Sequence, residues 1–265
     1  MSLRNAVAHR NLLYLLTMKE LRTRYRKSVL GWTWSLLNPL SQMLIFSFLF
    51  LVVFKADPPI GVPSGLKVFP LYFLSGLLPF QFFSISVTTA MGVVEGNASL
   101  IKKVSFPHEH LVWSVVLAQV ITLLIEIAVL AVALMIAGSM ILPWLIVALP
   151  LIALLMLFTT GLALTLSAAN VFFRDINYLW GIASQLLFYA SPIIFTPAVI
   201  EINSLRFVTS WGPTGAFVTA FHEVLYDNRM PSPERWGILL VYSIAMFAFG
   251  SWFFGRLSPK FAEEM

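Results

Sequence analysis

Apolar residues along this chain come in long unbroken runs set apart by short charged or Gly/Pro-rich connections. A helix needs about 20 such residues to cross a bilayer. Six stretches qualify, at about 33–54, 69–92, 111–137, 144–169, 178–196 and 237–255. The pattern predicts an all-α membrane protein with six transmembrane helices. Pro39 after Asn38 marks either a helix start or a kink in the first run. Pro143 opens the fourth run and Pro150 stands inside it, while Pro192 and Pro197 interrupt the fifth. The connection from Lys55 through Pro58, Pro59, Gly61, Pro63 and Gly65 reads as an irregular loop. The longer connection at about 197–236 is amphipathic, with Val199-Ile200, Phe207-Val208 and the run from Ala216 to Leu225. It reads as one or two short re-entrant helices divided near Gly212-Pro213. Non-helical backbone at that depth requires protein or water around it.

Composition agrees with the pattern: 59% of residues are hydrophobic and 11% charged. The net charge of +5 suggests membrane orientation rather than nucleic acid, because the cations sit at the ends of apolar runs. Of 17 Lys and Arg, twelve fall before the first run, between the second and third, between the fourth and fifth, and after the sixth. By the positive-inside rule both termini are cytoplasmic in a multi-pass protein. The absence of cysteine excludes disulfides, thiolate catalysis and Cys-ligated metals. The first apolar run follows a long basic segment and exceeds the length of a signal-peptide core, so no cleavable leader is expected.

Residues 1–32 form a basic segment ahead of a membrane domain at 33–265. Arg22, Arg24, Arg26 and Lys27 surround Tyr25, and the chain turns apolar through Gly31. Tyr14, Met18, Leu21 and Tyr25 recur at helical spacing, with Lys19, Arg22 and Arg26 on another face. This is an amphipathic helix on the membrane surface, either a plain anchor or also a docking element. The connection at 95–110, EGNASLIKKVSFPHEH, offers Asn97 and Ser99 as caps and Lys102-Lys103 at its middle. Its apolar residues Leu100, Ile101, Val104 and Phe106 suit either a socket on another protein or the lipid interface. Glu95, His108, Glu109 and His110 match no zinc spacing, and no metal site is expected. Glu126, the acid within the third run, fits a hydrogen-bonded interhelical contact with Gln119, Asn170 or Gln185, or a proton relay. GVPSGLK at 61–67 has the wrong spacing for a phosphate-binding loop, so ATP hydrolysis would need a separate subunit.

The stretches RYRKSVLGWTWSLLNP at 24–39, FPLYFLSGLLPFQFF at 69–83 and NASLIKKVSFP at 97–107 resemble permease subunits of ATP-binding-cassette polysaccharide exporters. Arg174-Asp175 and the SPII run at 191–194 extend the resemblance, which spans nearly the whole chain. Gly212-Pro213 departs from the Asn-Pro common in that family, and His222 from an often basic residue. The resemblance implies a non-enzymatic subunit of the bacterial cytoplasmic membrane that exports a polyprenyl-pyrophosphate-linked glycan such as O-antigen or teichoic acid. It implies a homodimer with two ATPase subunits, which would hold the ATP and Mg, and a coupling helix at about 95–107. It also implies outer gate helices at about 197–236. Arg174 and Asp175 would sit at the inner mouth, with a salt bridge as their ordinary role. Phe46, Phe50, Phe54, Tyr72, Phe73, Phe80 and Phe83 would line a glycan conduit, since aromatic faces stack on sugar C–H faces. Arg22, Arg24, Arg26 and Lys27 would either anchor the segment or guide the pyrophosphate. Other readings are export of a drug or smaller lipid, a proton-coupled carrier, or a membrane glycosyltransferase.

Overall fold

A computed structural model of the chain describes residues 10–24, 33–53, 59–103, 106–197 and 200–264. Arg26, Lys27, Phe54 and Val104 lie outside the described residues. All regular structure among those described is helical. The first helix, α1, spans Arg10–Arg24; α2 spans Trp34–Ser47 and continues as a π-helical turn over Phe48–Val53. Next come α3 (Phe69–Gly96), the short α4 (Ala98–Lys103), α5 (Glu109–Ile136) and α6 (Leu142–Phe172). Then follow α7 (Ile176–Ala190), α8 (Asn203–Trp211) and α9 (Pro213–Phe221), the last running into a π-helical turn at His222–Tyr226. The chain ends with α10 (Pro233–Leu257) and α11 (Phe261–Glu264).

Four helices, α3, α5, α6 and α10, are long and apolar enough to cross a membrane, which makes this an integral membrane protein. The first and fifth apolar runs give shorter helices. In the fifth, a proline disfavours helical geometry in the residue before it. Ser191 accordingly turns extended (ψ 144°) ahead of Pro192, and α7 stops at Ala190 after 15 residues. The run expected to reach 196 therefore ends in an irregular turn.

At the centre stands α3, with 20 of its 28 residues buried. It packs on α5, α6 and α9, and α6 packs in turn along α10. Lipid tails are as apolar as leucine, so helices in a bilayer are held by close contact rather than by hydrophobic exclusion. The tightest crossing joins α6 and α10. A Cβ at Gly250 would run into the backbone of Gly161, and one at Gly161 into Met246 and Phe247. Beside this crossing Ser243 Oγ donates to the Leu154 carbonyl at 2.9 Å. By contrast α2 and α7 are only partly covered, and each also makes a polar contact with α3. Gln42 and Gln81 bond side chain to side chain at 3.4–3.5 Å, and Trp180 Nε1 donates to Thr88 Oγ1 at 2.9 Å.

Gly250→Leu should lower the thermal unfolding midpoint of the detergent-solubilised protein, because overpacking costs about 1–3 kcal/mol and the obstacle here is backbone. Gly237→Leu, on the same helix with open space around it, is the matched control and should leave the midpoint unchanged.

Candidate functional site

Basic groups and the short helix α4 gather at one end of the bundle. There α1 packs against α5 with Leu16 and Leu21 buried, while Tyr14 and Leu15 are exposed. The expected division of faces is thus corrected. Tyr14 and Met18 lie with Lys19 and Arg22 around one cleft of about 390 Å³, because the buried stripe turns toward α5 rather than toward lipid. Arg24 closes α1. Lys19 Nζ donates to Asn97 Oδ1 at 2.7 Å, tying α1 to the junction of α3 and α4. Asn97 caps α4 with its carbonyl, which accepts from Leu100 and Ile101, and its side-chain amide returns to Val93 O.

In α4 the side chains divide. Ser99, Lys102 and Lys103 are exposed, Leu100 is half-buried and Ile101 is buried. Ile101 and Phe106 therefore do not form the free apolar surface the sequence suggested. They join the core, with α11 packed on α4 and Phe106 edge-on to His108. Phe261, fully buried against Phe254 and Phe172, is the C-terminal anchor that hydropathy alone did not single out. Arg174, well exposed, faces half-buried Glu95 at 3.9 Å, while Asp175 precedes α7 and its carbonyl accepts from Leu179. Arg174 is thus set across to α3 rather than paired with its neighbour Asp175.

Within the bundle, the aromatic residues chosen as conduit walls pack on one another. Tyr72, Phe73, Phe80 and Phe83 are buried, and Phe46 and Phe50 cover Phe73 and Phe69 at 4.1 and 4.0 Å between ring centres. In this conformation they hold α2 to α3 and offer little face to a ligand. Among the aromatic residues left open are Trp34 on α2, Phe48 in the π-helical turn after it, and Tyr178 and Tyr189 on α7. Along α3, Ile85, Thr88, Thr89 and Gly92 form an exposed, largely polar strip at helical spacing, on the helix that carries both α2 and α7. Glu126 is buried in α5; of its candidate partners, Asn170 donates to Met91 O at 3.3 Å and Gln185 is exposed on α7.

The opposite end is a polar knot around the π-helical turn. The His222 ring stacks on Tyr72 at 4.0 Å, with Nδ1 2.8 Å from Ser75 Oγ and Nε2 3.1 Å from Pro192 O. Gly76 makes this approach possible, since a Cβ there would lie 2.5 Å from the ring. Tyr226 OH donates to Pro59 O at 2.7 Å and accepts from Val68 N–H at 3.1 Å, pinning the 59–68 loop. Glu223 bridges two cations. Arg229 bonds it at 2.9 Å, and buried Arg235 lies 3.2 Å away while its NH1 reaches Ser210 O and its guanidinium covers the Trp211 ring at 4.6 Å. Asp227 takes Arg229 at 3.4 Å and the Val62 amide. Burial pushes its carboxyl up to about 6, outweighing Arg229 and Val62, which pull it down, with Glu223 adding to the rise.

This bundle, with one basic end, a lone short helix beside it and a knotted opposite end, matches one family model over residues 11–226. The chain belongs to the ABC-2 type transporter family. It is similar to the O-antigen export system permease protein RfbA of Myxococcus xanthus, 31% identical over 99% of this chain and 98% of that protein. A protein of the same name from Klebsiella pneumoniae is 30% identical, covering 96% and 94%. The polysialic acid transport protein KpsM of Escherichia coli is 25% identical, covering 94% and 92%.

In this ABC-2 type protein the Glu223, Arg229 and Arg235 knot was missed at the level of sequence. The signal was present as Glu223, Asp227 and Arg229 directly after an apolar run, a placement that demands partners. Arg235→Met should destabilise the protein, but by less than the roughly 3–5 kcal/mol of a fully stranded buried charge, since buried Glu223 loses one of its two cations and keeps Arg229 at 2.9 Å. The double variant Glu223→Leu with Arg235→Met should lose less than the single one in the same thermal unfolding assay. For Asp227 the folded value lies above the ordinary 3.8, so its stabilisation is complete below that value and fades as pH rises through about 6. The unfolding midpoint should therefore rise between pH 7 and pH 5, and Asp227→Asn should flatten that rise.

Proposed function

We propose that this chain is the membrane subunit of an ATP-driven exporter that moves a polyprenyl-pyrophosphate-linked polysaccharide across the bacterial cytoplasmic membrane. The observation that carries this reading is the near end-to-end similarity to the O-antigen export permease of Myxococcus xanthus. In the working assembly two copies pair, and each engages one ATPase subunit that holds ATP and Mg. Both termini face the cytoplasm. The stretch 34–53 and α7 complete six crossings in each protomer.

The open side of the bundle supports a paired arrangement. The helices α2 and α7 keep much of their surface bare, and the polar strip of α3 belongs to the same lightly covered side. A second copy set against that side encloses a path whose wall is Thr88, Thr89 and Gly92. Hydroxyls and a bare backbone suit a sliding glycan better than a tight pocket would. The Tyr14, Lys19 and Arg22 cleft receives the pyrophosphate head through charge-assisted hydrogen bonds. At the cytoplasmic face α4 presents Ser99, Lys102 and Lys103 to the ATPase. Closure of the nucleotide-loaded ATPase pair pushes α4, and the lightly held α2 and α7 give way. The 197–236 segment then acts as the outer gate.

Replacing Lys102 and Lys103 by Glu together should reduce the ATPase that copurifies with the tagged permease at least about tenfold, read by mass spectrometry of native-membrane preparations, with membrane insertion unchanged. Phe106 is a poorer test site because its partly buried ring packs on the core. Full recovery of the ATPase with the double charge reversal would exclude α4 as the contact.

A further inference from the structure

The end opposite α4 carries an open cleft of about 570 Å³ between α8, α9 and α10, lined by Asn203, Arg206, Phe207, Ser210, Trp211, Thr219, Glu223, Arg229 and Arg235 together with Thr196 and Pro197. A smaller cavity of about 150 Å³ shares Thr219, Glu223 and Arg229 with it and reaches Asp227. Three guanidinium groups thus meet one carboxylate in the main cleft. Glu223 serves Arg229 and Arg235, and Asp227 gives Arg229 a second partner. Arg206 is exposed and has no carboxylate within ion-pair distance among the described residues. Glu201 and Glu234 stand outside the lining. The floor is rigid, because Arg235 is 7% exposed and locked between Glu223, Ser210 O and the Trp211 ring, whose own carbonyl is held by Tyr242 OH at 2.9 Å.

What sets the depth of this cleft is α8. Ile202, just before the helix, and Leu205 and Val208 on it follow a spacing of three and are 52–60% exposed. A short helix with a bare apolar stripe and a cation on its other side lies in the interfacial plane, stripe toward the acyl chains and charge at the level of the phosphates. We propose that the cleft beneath α8 binds a lipid-borne phosphate in the outer leaflet, with Arg206 as the principal contact, Arg229 and Asn203 assisting, and Phe207 and Trp211 against the lipid's upper chain. This rests on the export reading for its orientation and for one of its two lipid sources. These are the polyprenyl pyrophosphate of the delivered product and an anionic phospholipid of the bilayer. The former makes the cleft a station for the head of the product before it leaves. Arginine suits either, since its planar fork pairs phosphate oxygens two at a time.

The test is lipid retention by the purified full-length protein in mild detergent, read by native mass spectrometry with undecaprenyl pyrophosphate, phosphatidylglycerol and phosphatidylcholine as probes. With Arg22→Gln as the background, so that the α1 cleft does not hold the probes, the protein should retain one or both anionic probes over phosphatidylcholine, and adding Arg206→Gln should cut that retention at least about fivefold with an unchanged thermal midpoint. Arg256→Gln, which removes a cation at the other end of α10, should leave retention as in that background. Preference for the pyrophosphate supports product release, and equal or greater retention of phosphatidylglycerol supports a bilayer phospholipid as the occupant. Equal retention of all three probes, or no effect of Arg206→Gln, overturns the site. Copurification of the ATPase is scored separately, so a failed export reading and a failed phosphate site give different results.

Discussion

Two stretches of unwound chain, 191–197 and 227–232, lie beside long apolar helices, and a bilayer offers nothing to hydrogen-bond their backbone. Much of the arrangement at that end follows from clothing them in protein. The Pro192 carbonyl takes His222 Nε2, and the Phe195 carbonyl takes Tyr72 OH at 3.1 Å. The Asp227 carbonyl accepts from the Ser64 amide at 3.0 Å and the Arg229 amide donates to the Glu223 carbonyl at 2.9 Å, while Ser191 Oγ ties the first stretch to Thr214 Oγ1 at 2.9 Å. To deliver these partners α9 must run through the interior rather than over the surface, and from Thr214 to Val218 it is entirely buried. Only a helix of small and apolar residues fits there, as PTGAFVTAF does.

Packing is correspondingly lopsided. One side of the bundle, where α6 and α10 cross at paired glycines, is closed to the backbone, and a shift there means broken contacts rather than slid ones. On the other side, α2 rests on α5 and α3, and α7 on α3 and α6, each through a few side chains. Motion of the bundle belongs to the second side, because the free energy needed to displace a half-covered helix is the smaller. The π-helical turn at Phe48–Val53, which shifts the register of side chains along α2, sits on that same weakly held element.

How much of this was legible in the sequence varies with the physics behind each signal. Hydropathy located α3, α5, α6 and α10 to within a few residues, since a run of leucine, valine and phenylalanine has one way to satisfy its backbone in lipid. The division of 197–236 at Gly212 was also readable, because Gly-Pro breaks a helix locally. The inward face of α1 was not. Tyr14 and Leu16 are both apolar enough to be buried, and only the position of α5 decides between them. Aromatic side chains misled for a related reason. Phe73 and Phe83 read equally well as a wall for sugar or as filler between helices, and burial at 1–2% exposure places them as filler. The Lys19–Asn97 and Arg174–Glu95 contacts join residues 78 and 79 positions apart, which no local pattern encodes.

The helix α3 joins the two ends by itself. Its last turn delivers Asn97 to Lys19 and α4, and its first two turns carry Tyr72 and Ser75 to His222. Twenty-eight residues of helix span about 42 Å, enough to cross the hydrocarbon with a turn to spare at each side. A force applied to α4 enters α3 through the backbone, with one residue, Asn97, between the two helices. Because α3 is the most enclosed of the long helices, packed on α5, α6 and α9, it holds the spacing between its two ends fixed. The element at its far end is the His222 stack, held by one hydroxyl, one carbonyl and a ring face. Ser75 Oγ and the Tyr72 ring thus tie the π-helical turn to the same helix whose other end starts α4, so one rod sets the positions of both ends.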